Sequence, residues 1–361
     1  MAAIISIATA VPQYCHRQDD IVHFMSSIYK LDVEEKRKLK FLYHHSGIEK
    51  RYSVIDDFTL PAADWDFIPR ENNRPFPCLD ERMKIYNEEA APLSIKAVRD
   101  CIEGYIKPAE ITHLITVSCT GMSAPGLDLQ LAEAMQLPSS VFRTSINFMG
   151  CYAAVHALKL AKLVCDAIPA ANVVIVATEL CTIHFQQEYT PDNAASSLLF
   201  ADGSAAVLVS NTIKQKSALN LNGFYSQVAY KGKKDMAWEL SSKGFLMTLS
   251  GYIPHLVEED IALLVENALS HYSLQKKDIT HWCIHPGGKK ILEVIEKQLV
   301  LEKDDLCRSR KVLAEYGNMS SPTILFVLKE MLKALPENQC NVMGIAFGPG
   351  LTMETFVAGK P

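Results

Sequence analysis

Apolar and polar residues form two different patterns along the chain. Short apolar runs rich in β-branched residues, at 113–117 and 172–177, predict buried strands. Longer segments with apolar residues at helical spacing, at 80–104 and 127–135, predict helices. The run 172–177 is almost wholly apolar, which is typical of a strand covered on both faces. Because strands and helices alternate, the sequence predicts an α/β fold.

The first eighty residues contain three less regular segments. Residues 2–11 are apolar enough to resemble the hydrophobic part of a signal peptide, but no basic segment precedes them and their isoleucines favour a buried strand. Residues 30–40 predict a helix rich in lysine and arginine, which is either a solvated helix face or the mouth of a site for a phosphorylated carrier. The proline-rich stretch 53–77 predicts a long loop.

The sequence also repeats itself at a nearly constant offset. The segment Glu110–Leu114 recurs as Asp278–Trp282, and Asn172–Val174 recurs as Asn341–Met343. A single short echo would be chance. Together with the predicted helices that follow Cys151 and Asn318, these segments make three elements in the same order at nearly one spacing, which indicates an ancient duplication.

The duplication predicts two halves, residues 1–213 and 214–361. The offset of the repeat brings the helix after Cys151 onto the helix after Asn318. Equivalent strand ends of two halves related by a pseudo-two-fold axis face a shared crevice, where α/β sheets bind their ligands. We therefore expect side chains on equivalent loops to meet.

Cys151 is the strongest candidate for a nucleophile. It follows the predicted strand 141–148 and a helix-breaking glycine, Gly150, and it precedes a predicted helix that begins near Ala153. A helix N terminus favours a thiolate over a thiol. The alternative is a small buried hydrophobe, which most free cysteines are.

His285 and Asn318 are predicted to converge with Cys151. His285 follows the strand 282–284, and Asn318 precedes Ser320–Pro322, where a serine cap and a proline at the first helical position start a helix. Such a set supports covalent acyl chemistry, in which a thiolate kept ionised by an imidazolium attacks a thioester and the other side chains stabilise the oxyanion. The alternatives are a core histidine and a turn asparagine.

Composition excludes several classes of protein. The chain has 361 residues, 48% of them hydrophobic, and a formal net charge of −5 with a sequence pI of about 6.1, which gives no global attraction to nucleic acid or anionic membranes. Its ten cysteines lack CxxC and zinc-finger spacing, which argues against a metal site and favours a reducing cytoplasm. No uncharged apolar run is long enough to predict a transmembrane helix.

Several motifs resemble those of the type III polyketide synthases, the chalcone synthase-like branch of the thiolase superfamily. Besides the Cys151 turn, the resemblance is carried by Ile48–Tyr52, Leu199–Gly203, His285–Gly288, Tyr316–Ser321 and Gly348–Thr355. Cys119 and Cys181 resemble the bacterial members. The family resemblance implies a five-layered αβαβα fold and a homodimer that uses malonyl-CoA and an acyl-CoA starter without metal or other cofactor.

The resemblance also implies roles for single residues. Cys151 would carry the starter and the growing chain, while His285 and Asn318 would assist decarboxylation of the malonyl group. Phe200 matches an aromatic gatekeeper between the CoA tunnel and the cavity. The other pocket residues would be Cys119, Cys181, His184, Met247 and Ser320, and the residues that contact CoA phosphates would be Lys38, Lys40, His45, Lys50 and Arg51.

The implied pocket favours a medium or long fatty acyl-CoA starter. Met247 stands where a second gatekeeper phenylalanine is common, and the cysteines form small walls, so an acyl tunnel could open and the product would be an alkylpyrone or alkylresorcinol. Two alternatives stay open: a ketoacyl synthase III-like enzyme that makes a single extension, and a non-catalytic thiolase-fold subunit that binds acyl-CoA.

Overall fold

A computed structural model describes residues 1–69, 75–336 and 339–360. In these residues the strands are β1 (Ala3–Ala10), β2 (Tyr14–Arg17), β3 (Lys50–Ser53), β4 (His113–Ser118), β5 (Phe142–Asn147), β6 (Asn172–Leu180), β7 (Asp202–Ser210), β8 (Leu219–Val228), β9 (Met236–Ser241), β10 (Gly244–Leu249), β11 (His281–Ile284), β12 (Cys340–Gly348) and β13 (Thr352–Lys360). The α-helices are α1 (Gln18–Ile28), α2 (Val33–His45), α3 (Leu79–Ile102), α4 (Leu127–Ala134), α5 (Ala153–Ala167), α6 (Pro191–Leu199), α7 (Ile253–His271), α8 (Lys289–Gln298), α9 (Cys307–Tyr316) and α10 (Thr323–Leu332).

Nine strands form one continuous sheet in the order β11-β12-β13-β8-β1-β7-β6-β4-β5. The sheet consists of two half-sheets, one from each half of the chain. They meet at a short antiparallel pairing of Ala3 with Asn220 and Ile4 with Leu219, between β1 and β8. In the first half-sheet β4 runs parallel to β5 and β6, and β7 runs antiparallel to β6 and β1.

Helices cover the half-sheets on both faces and between them. Helices α5 and α10 contact strands of both half-sheets and share one buried apolar cluster with them. Helix α3 packs on β1, β6 and β7 in a second cluster, and α7 and α8 belong to a third cluster with the outer face of the other half-sheet. This order of layers is αβαβα, so the predicted fold class is confirmed.

The central layer depends on small and apolar side chains. Helix α5 buries Ala153, Ala154, Ala157 and Ala161 completely, and short side chains let a helix approach two sheets closely. Helix α10 buries residues around most of its circumference, which is typical of a helix enclosed by protein. Strand β6 is buried along nearly its whole length, as the apolar run 172–177 predicted.

Matching hydrogen bonds occur at corresponding places in the two predicted halves. In the first half, the Thr112 hydroxyl donates to Asn172 O (3.0 Å) and accepts from Asn172 N–H (2.9 Å), while Asn172 Nδ2 donates to Glu110 O (3.1 Å). In the second half, Thr280 and Asn341 make the same three bonds, the last of them to Asp278 O, at 2.9, 3.0 and 3.0 Å. The two halves therefore fasten equivalent strands in the same way.

The first eighty residues differ from prediction in the unpredicted elements β2 and α1 and in both ends of the basic helix, which is α2. Residues 3–10 form the predicted strand, but the basic helix begins at Val33 rather than near residue 30, because Asp32 caps it in a capping box with Glu35. The predicted loop 53–77 contains two short 3₁₀ turns in its described part, and residues 70–74 lie outside the described residues. In the described part of the chain no helix combines the length and apolarity needed to cross a bilayer.

We expect both Asn172→Ala and Asn341→Ala to destabilise the protein, and Asn172→Ala to do so more. Each substitution removes one bond from Nδ2 to a backbone carbonyl of the connection before an equivalent strand, which is worth about 1 kcal/mol. Asn172→Ala also removes the bond that Asn172 Oδ1 accepts from the Ser210 hydroxyl (2.8 Å). The shift of the urea unfolding midpoint measures the effect. A loss confined to one variant would contradict the equivalence of the two halves.

Candidate active site

The turn before α5 presents Cys151 to a buried space. Gly150 has a φ of +85°, and a Cβ at this position would lie 2.2 Å from Pro349 Cδ, so only glycine fits. The Gly150 N–H donates to Cys119 Sγ at 3.0 Å. Cys151 lies two residues before the helix and is 9% exposed. The predicted strand-to-helix turn is confirmed.

Asn318 is held rigidly by backbone bonds on both sides. Its N–H donates to Leu199 O (3.0 Å), and its carbonyl accepts from Ala201 N–H (2.9 Å). Its side-chain Oδ1 accepts from Ser320 N–H at 2.8 Å, which leaves the amide nitrogen as the group that can donate into the site. The serine cap predicted for the following helix is wrong, because the Ser321 hydroxyl donates to Glu179 instead (2.7 Å).

His285 follows β11 directly and is 1% exposed. Both of its ring nitrogens are buried and make no hydrogen bond within the described part of the chain. An imidazole in this position has a free donor and a free acceptor for a bound molecule. Cys151, His285 and Asn318 all line one cavity of about 710 Å³.

Burial disfavours the charged forms of Cys151 and His285. It raises the pKa of the Cys151 thiol to about 11, against the opposing effect of hydrogen bonding from Ser320 and Asn318. Burial also lowers the pKa of the His285 imidazole to about 3. Desolvation therefore opposes a thiolate alone and an imidazolium alone, so the pair expected from the sequence requires the two charges to form together.

The other predicted pocket residues line the same cavity. These are Phe200, Cys119, Cys181, His184, Met247 and Ser320. His184 is a fixed part of the wall: its Nε2 donates to Thr120 O (2.7 Å) and its Nδ1 accepts from Phe245 N–H (3.1 Å). Burial lowers the pKa of His184 to about 3, so this ring is neutral.

The cavity wall is more aromatic than the sequence suggested. Trp238 and Phe245 line it from one face of the β9–β10 hairpin, and Trp238 lies opposite Met247 in that hairpin. The Trp238 indole N–H donates to Cys119 O at 2.6 Å, and the His184 ring stacks on Phe245 at 4.3 Å. The expectation of small walls is corrected here, because aromatic side chains neighbour the cysteine.

Glu179 is a buried carboxyl beside the site that sequence reasoning missed. It accepts hydrogen bonds from Cys119 N–H (2.8 Å), the Thr120 hydroxyl (2.8 Å) and the Ser321 hydroxyl (2.7 Å). Burial raises its pKa to about 7. Glu179 could have been identified from the sequence as a carboxylate within a mostly apolar strand, because a buried carboxylate needs hydrogen-bond partners.

The basic residues predicted to contact CoA divide into three groups. Lys38 and His45 are exposed and border the mouth of the cavity, whereas Lys40 and Lys50 are not among the described residues that line it. Arg51 is 5% exposed, and its guanidinium donates to Gln18 Oε1 (3.1 Å) and to the Phe200 carbonyl. This enclosure does not fit a phosphate contact at the surface.

Two further cations, Lys289 and Lys290, line the cavity at the start of α8. Both lysines follow the Gly287–Gly288 turn after His285. Their closeness in sequence to this candidate catalytic residue could have identified them as residues of the site. A helix N terminus with two lysines is favourable for phosphate groups. No group of three or more metal-ligating side chains occurs in the described ranges.

Comparisons with known proteins match the whole chain. The model of the chalcone and stilbene synthase N-terminal domain matches residues 1–212, and that of the C-terminal domain matches residues 223–359. Type III polyketide synthase A of Arabidopsis thaliana is 29% identical, over 98% of this chain and 91% of that protein. The α-pyrone synthesis polyketide synthase-like Pks18 of Mycobacterium tuberculosis is also 29% identical, over 98% and 90%.

Solved structures give the same result. The crystal structure of PKS-I from the brown alga Ectocarpus siliculosus has a TM-score of 0.93 and 29% identity, covering 100% of this chain and 98% of that one. The C-terminal type III polyketide synthase domain of Steely1 from Dictyostelium has a TM-score of 0.90 and 25% identity, covering 99% of both chains.

We expect Glu179→Gln to remove a pH dependence of stability. The raised pKa means that the folded protein binds this proton more tightly than the unfolded chain, so the stabilisation is complete below the ordinary glutamate pKa and is lost as the pH rises through about 7. Thermal midpoints measured from about pH 5 to about pH 8 should show the wild-type advantage over the variant shrinking.

Thr120→Val is the matched control for this prediction. It removes one donor to the carboxyl but keeps the carboxyl itself, so it should retain the pH dependence. A difference between wild type and Glu179→Gln that is constant with pH would show that Glu179 does not titrate in this range.

Proposed function

Because this chain belongs to the chalcone and stilbene synthase family and is a type III polyketide synthase, an acyltransferase, we propose that it extends a fatty acyl-CoA starter with malonyl-CoA on Cys151. The product we propose is an alkylpyrone or alkylresorcinol. The observation that carries this proposal is that Cys151, His285 and Asn318 line one cavity. The reaction needs only CoA thioesters, so we propose no resident metal or cofactor.

In the loading step, Cys151 Sγ attacks the thioester carbonyl of the starter and CoA leaves as its thiol. Burial disfavours a thiolate or an imidazolium alone, so the proton of Cys151 passes to His285 and the two charges form together. Burial favours the neutral form of His285, and this form can act as the base. The proton then passes from the imidazolium to the departing CoA sulfur.

In the extension step, the malonyl thioester carbonyl accepts hydrogen bonds from His285 and the Asn318 amide. Loss of carbon dioxide moves the bond electrons onto this carbonyl and gives an enolate, whose charge the two donors stabilise. The enolate carbon attacks the acyl group on Cys151, and Cys151 leaves as the thiolate. The extended chain is then on CoA and returns to Cys151 for the next cycle.

A fatty starter is supported by the apolar character of the cavity wall. Beyond the gate at Phe200, the wall includes Met247 and the sulfur atoms of Cys119 and Cys181, which favour an alkyl chain over a polar group. The Mycobacterium relative is named for α-pyrone synthesis. Trp238 occupies space beside Cys119, so we propose that its ring limits the length of the chain.

We further propose that the chain acts as a homodimer in the cytoplasm. Strand β5 ends the sheet with one free edge, and most of its residues are exposed, including Phe142 at 68%. An unpaired edge of this kind is a template for another strand, which a second copy of β5 can supply across a two-fold axis. Ten free cysteines support a reducing compartment.

Two variants separate the proposed steps. We expect Cys151→Ala to form no acyl-enzyme and no polyketide, while it still releases carbon dioxide from malonyl-CoA. We expect Asn318→Ala to form the acyl-enzyme but to lose decarboxylation by about 10²–10³-fold, the usual effect of removing one oxyanion donor. Intact-protein mass spectrometry and labelled carbon dioxide measure the two steps.

These assays also decide between the alternatives. Products extended by only one ketide unit would favour the hypothesis of a ketoacyl synthase III-like enzyme. A wild-type protein that forms no acyl-enzyme and releases no carbon dioxide would favour the hypothesis of a non-catalytic subunit. Polyketide formation by Cys151→Ala would contradict the proposed nucleophile. Circular dichroism confirms that each variant is folded.

Starter length can be tested with acyl-CoAs of graded length and malonyl-CoA, with products identified by mass spectrometry. We expect medium and long chains to be used best, and Trp238→Leu to shift the optimum to longer chains. Leu240→Ala is the matched control, because Leu240 lies on the same strand but is 61% exposed. A preference of the wild type for acetyl-CoA or malonyl-CoA, with long chains refused, would contradict the fatty starter.

A further inference from the structure

The C-terminal end of α6 is held by three buried donors from other parts of the chain. The carbonyl of Leu198 accepts from Gln18 Nε2 (2.9 Å), that of Leu199 accepts from Asn318 N–H (3.0 Å), and that of Phe200 accepts from the Arg51 guanidinium. The last carbonyls of a helix have no partner inside the helix. Here each of the three receives a separate tertiary partner.

Arg51 and Gln18 act as one unit in this arrangement, since Arg51 Nε also donates to Gln18 Oε1 at 3.1 Å. Both side chains are buried, and a buried guanidinium costs free energy unless its surroundings compensate it. The C-terminal end of a helix carries a partial negative charge, which favours a cation there. We name these two residues the α6 clamp.

The α6 clamp is in direct contact with the part of the chain that carries Asn318. A Cβ at Gly317 would lie 2.8 Å from Arg51 Cδ and 3.1 Å from Leu199 O. Phe200 and Asn318 form a parallel bridge. The position of the Phe200 backbone is therefore fixed on one side by Arg51 and on the other by Asn318.

Helix α6 buries only Ala194 and Leu199, and its other tertiary hydrogen bonds, from Tyr29 Oη to Ser197 Oγ and from Leu249 N–H to Asp192 Oδ1, are long at 3.3 Å each. It is nine residues long, and its middle consists of the small residues 194–197, several of which line the cavity. Small side chains bury little apolar surface, so they contribute little to docking the helix. The hydrogen bonds at its end therefore carry a large share of the positioning of Phe200.

We propose that Gln18 and Arg51 are positioning residues that fix Phe200 across the passage to Cys151 and so set the width of acyl group that reaches the thiol. The inference rests on the gate role given to Phe200 in the proposed function. It assigns to Arg51 a role inside the protein in place of the expected contact with CoA phosphate. Without the α6 clamp, Phe200 shifts and wider molecules pass.

Alkylation of Cys151 tests the gate without any catalytic turnover. The rates of modification by iodoacetamide, a small reagent, and by N-pyrenylmaleimide, a bulky one, are followed on the Cys151 peptide by mass spectrometry. We expect Arg51→Met to raise the ratio of the bulky to the small rate by about tenfold, the scale on which a pocket discriminates small differences in size. Arg51→Lys keeps a cationic donor and should restore part of the wild-type ratio.

Asn211→Ala is the matched control. Asn211 Nδ2 likewise donates to carbonyls at the end of a helix, those of Cys165 (2.7 Å) and Ile168 (2.8 Å) at α5, and it does not line the cavity. We expect this variant to lower the melting temperature and leave the alkylation ratio unchanged. An Arg51→Met variant that behaves like Asn211→Ala would overturn the proposal.

Gln18→Leu is the second variant if Arg51→Met does not fold. It removes the donor to Leu198 O and the acceptor for Arg51 but keeps the guanidinium, so the ratio should rise by a smaller factor. An unchanged ratio in Gln18→Leu would also contradict the α6 clamp. Failure of the wild type to make polyketide would refute the proposed function, whereas the alkylation ratios would still report on the gate.

Discussion

The packing of α5 and α10 between the two half-sheets is the constraint on which the rest of the structure depends. Each helix is preceded by a short turn that carries a polar side chain, Cys151 before α5 and Asn318 before α10. Because both helices are enclosed by the same buried cluster, neither turn can move without disturbing the core. The thiol and the amide are therefore held by the buried central layer of the molecule.

The same enclosure determines the electrostatics of the site. Desolvation raises the pKa of Cys151 and Glu179 and lowers that of His285, so each of these groups is driven toward its neutral form. Isolated charges are therefore disfavoured in this site. Moving a proton from one group to another forms two opposite charges together, and the hydrogen-bond donors are already in place when charge develops on the substrate.

Much of the fold and the three central site residues could be predicted from the sequence. Cys151, His285 and Asn318 each lie next to a predicted strand or helix. The internal repeat predicts that the loops carrying them meet. The boundary of α2 was misjudged, because the cap at Asp32 was not recognised. Trp238 could not be placed, since its position depends on the register of the β9–β10 hairpin rather than on any local pattern.

Charged residues were the least predictable part of the site. Arg51 belongs to a run of basic residues near a predicted surface helix, and arginines are rarely buried, so its enclosure depends on tertiary partners distant in sequence. The burial of Glu179, which lies in the mostly apolar strand β6, likewise depends on partners that are distant in sequence. Desolvation is a property of the assembled core, and no local sequence pattern records how much water a side chain loses.

The place of β1 within the sheet has a consequence for how the molecule forms. This strand is the first in the described chain, yet its partners β7 and β8 lie some two hundred residues later in the sequence. During synthesis β1 stays unpaired, with its apolar side chains exposed, until β7 and β8 have left the ribosome. Pairings of such long sequence separation slow folding and leave strand edges open to aggregation, so newly made chains should depend on chaperones more than the finished enzyme does.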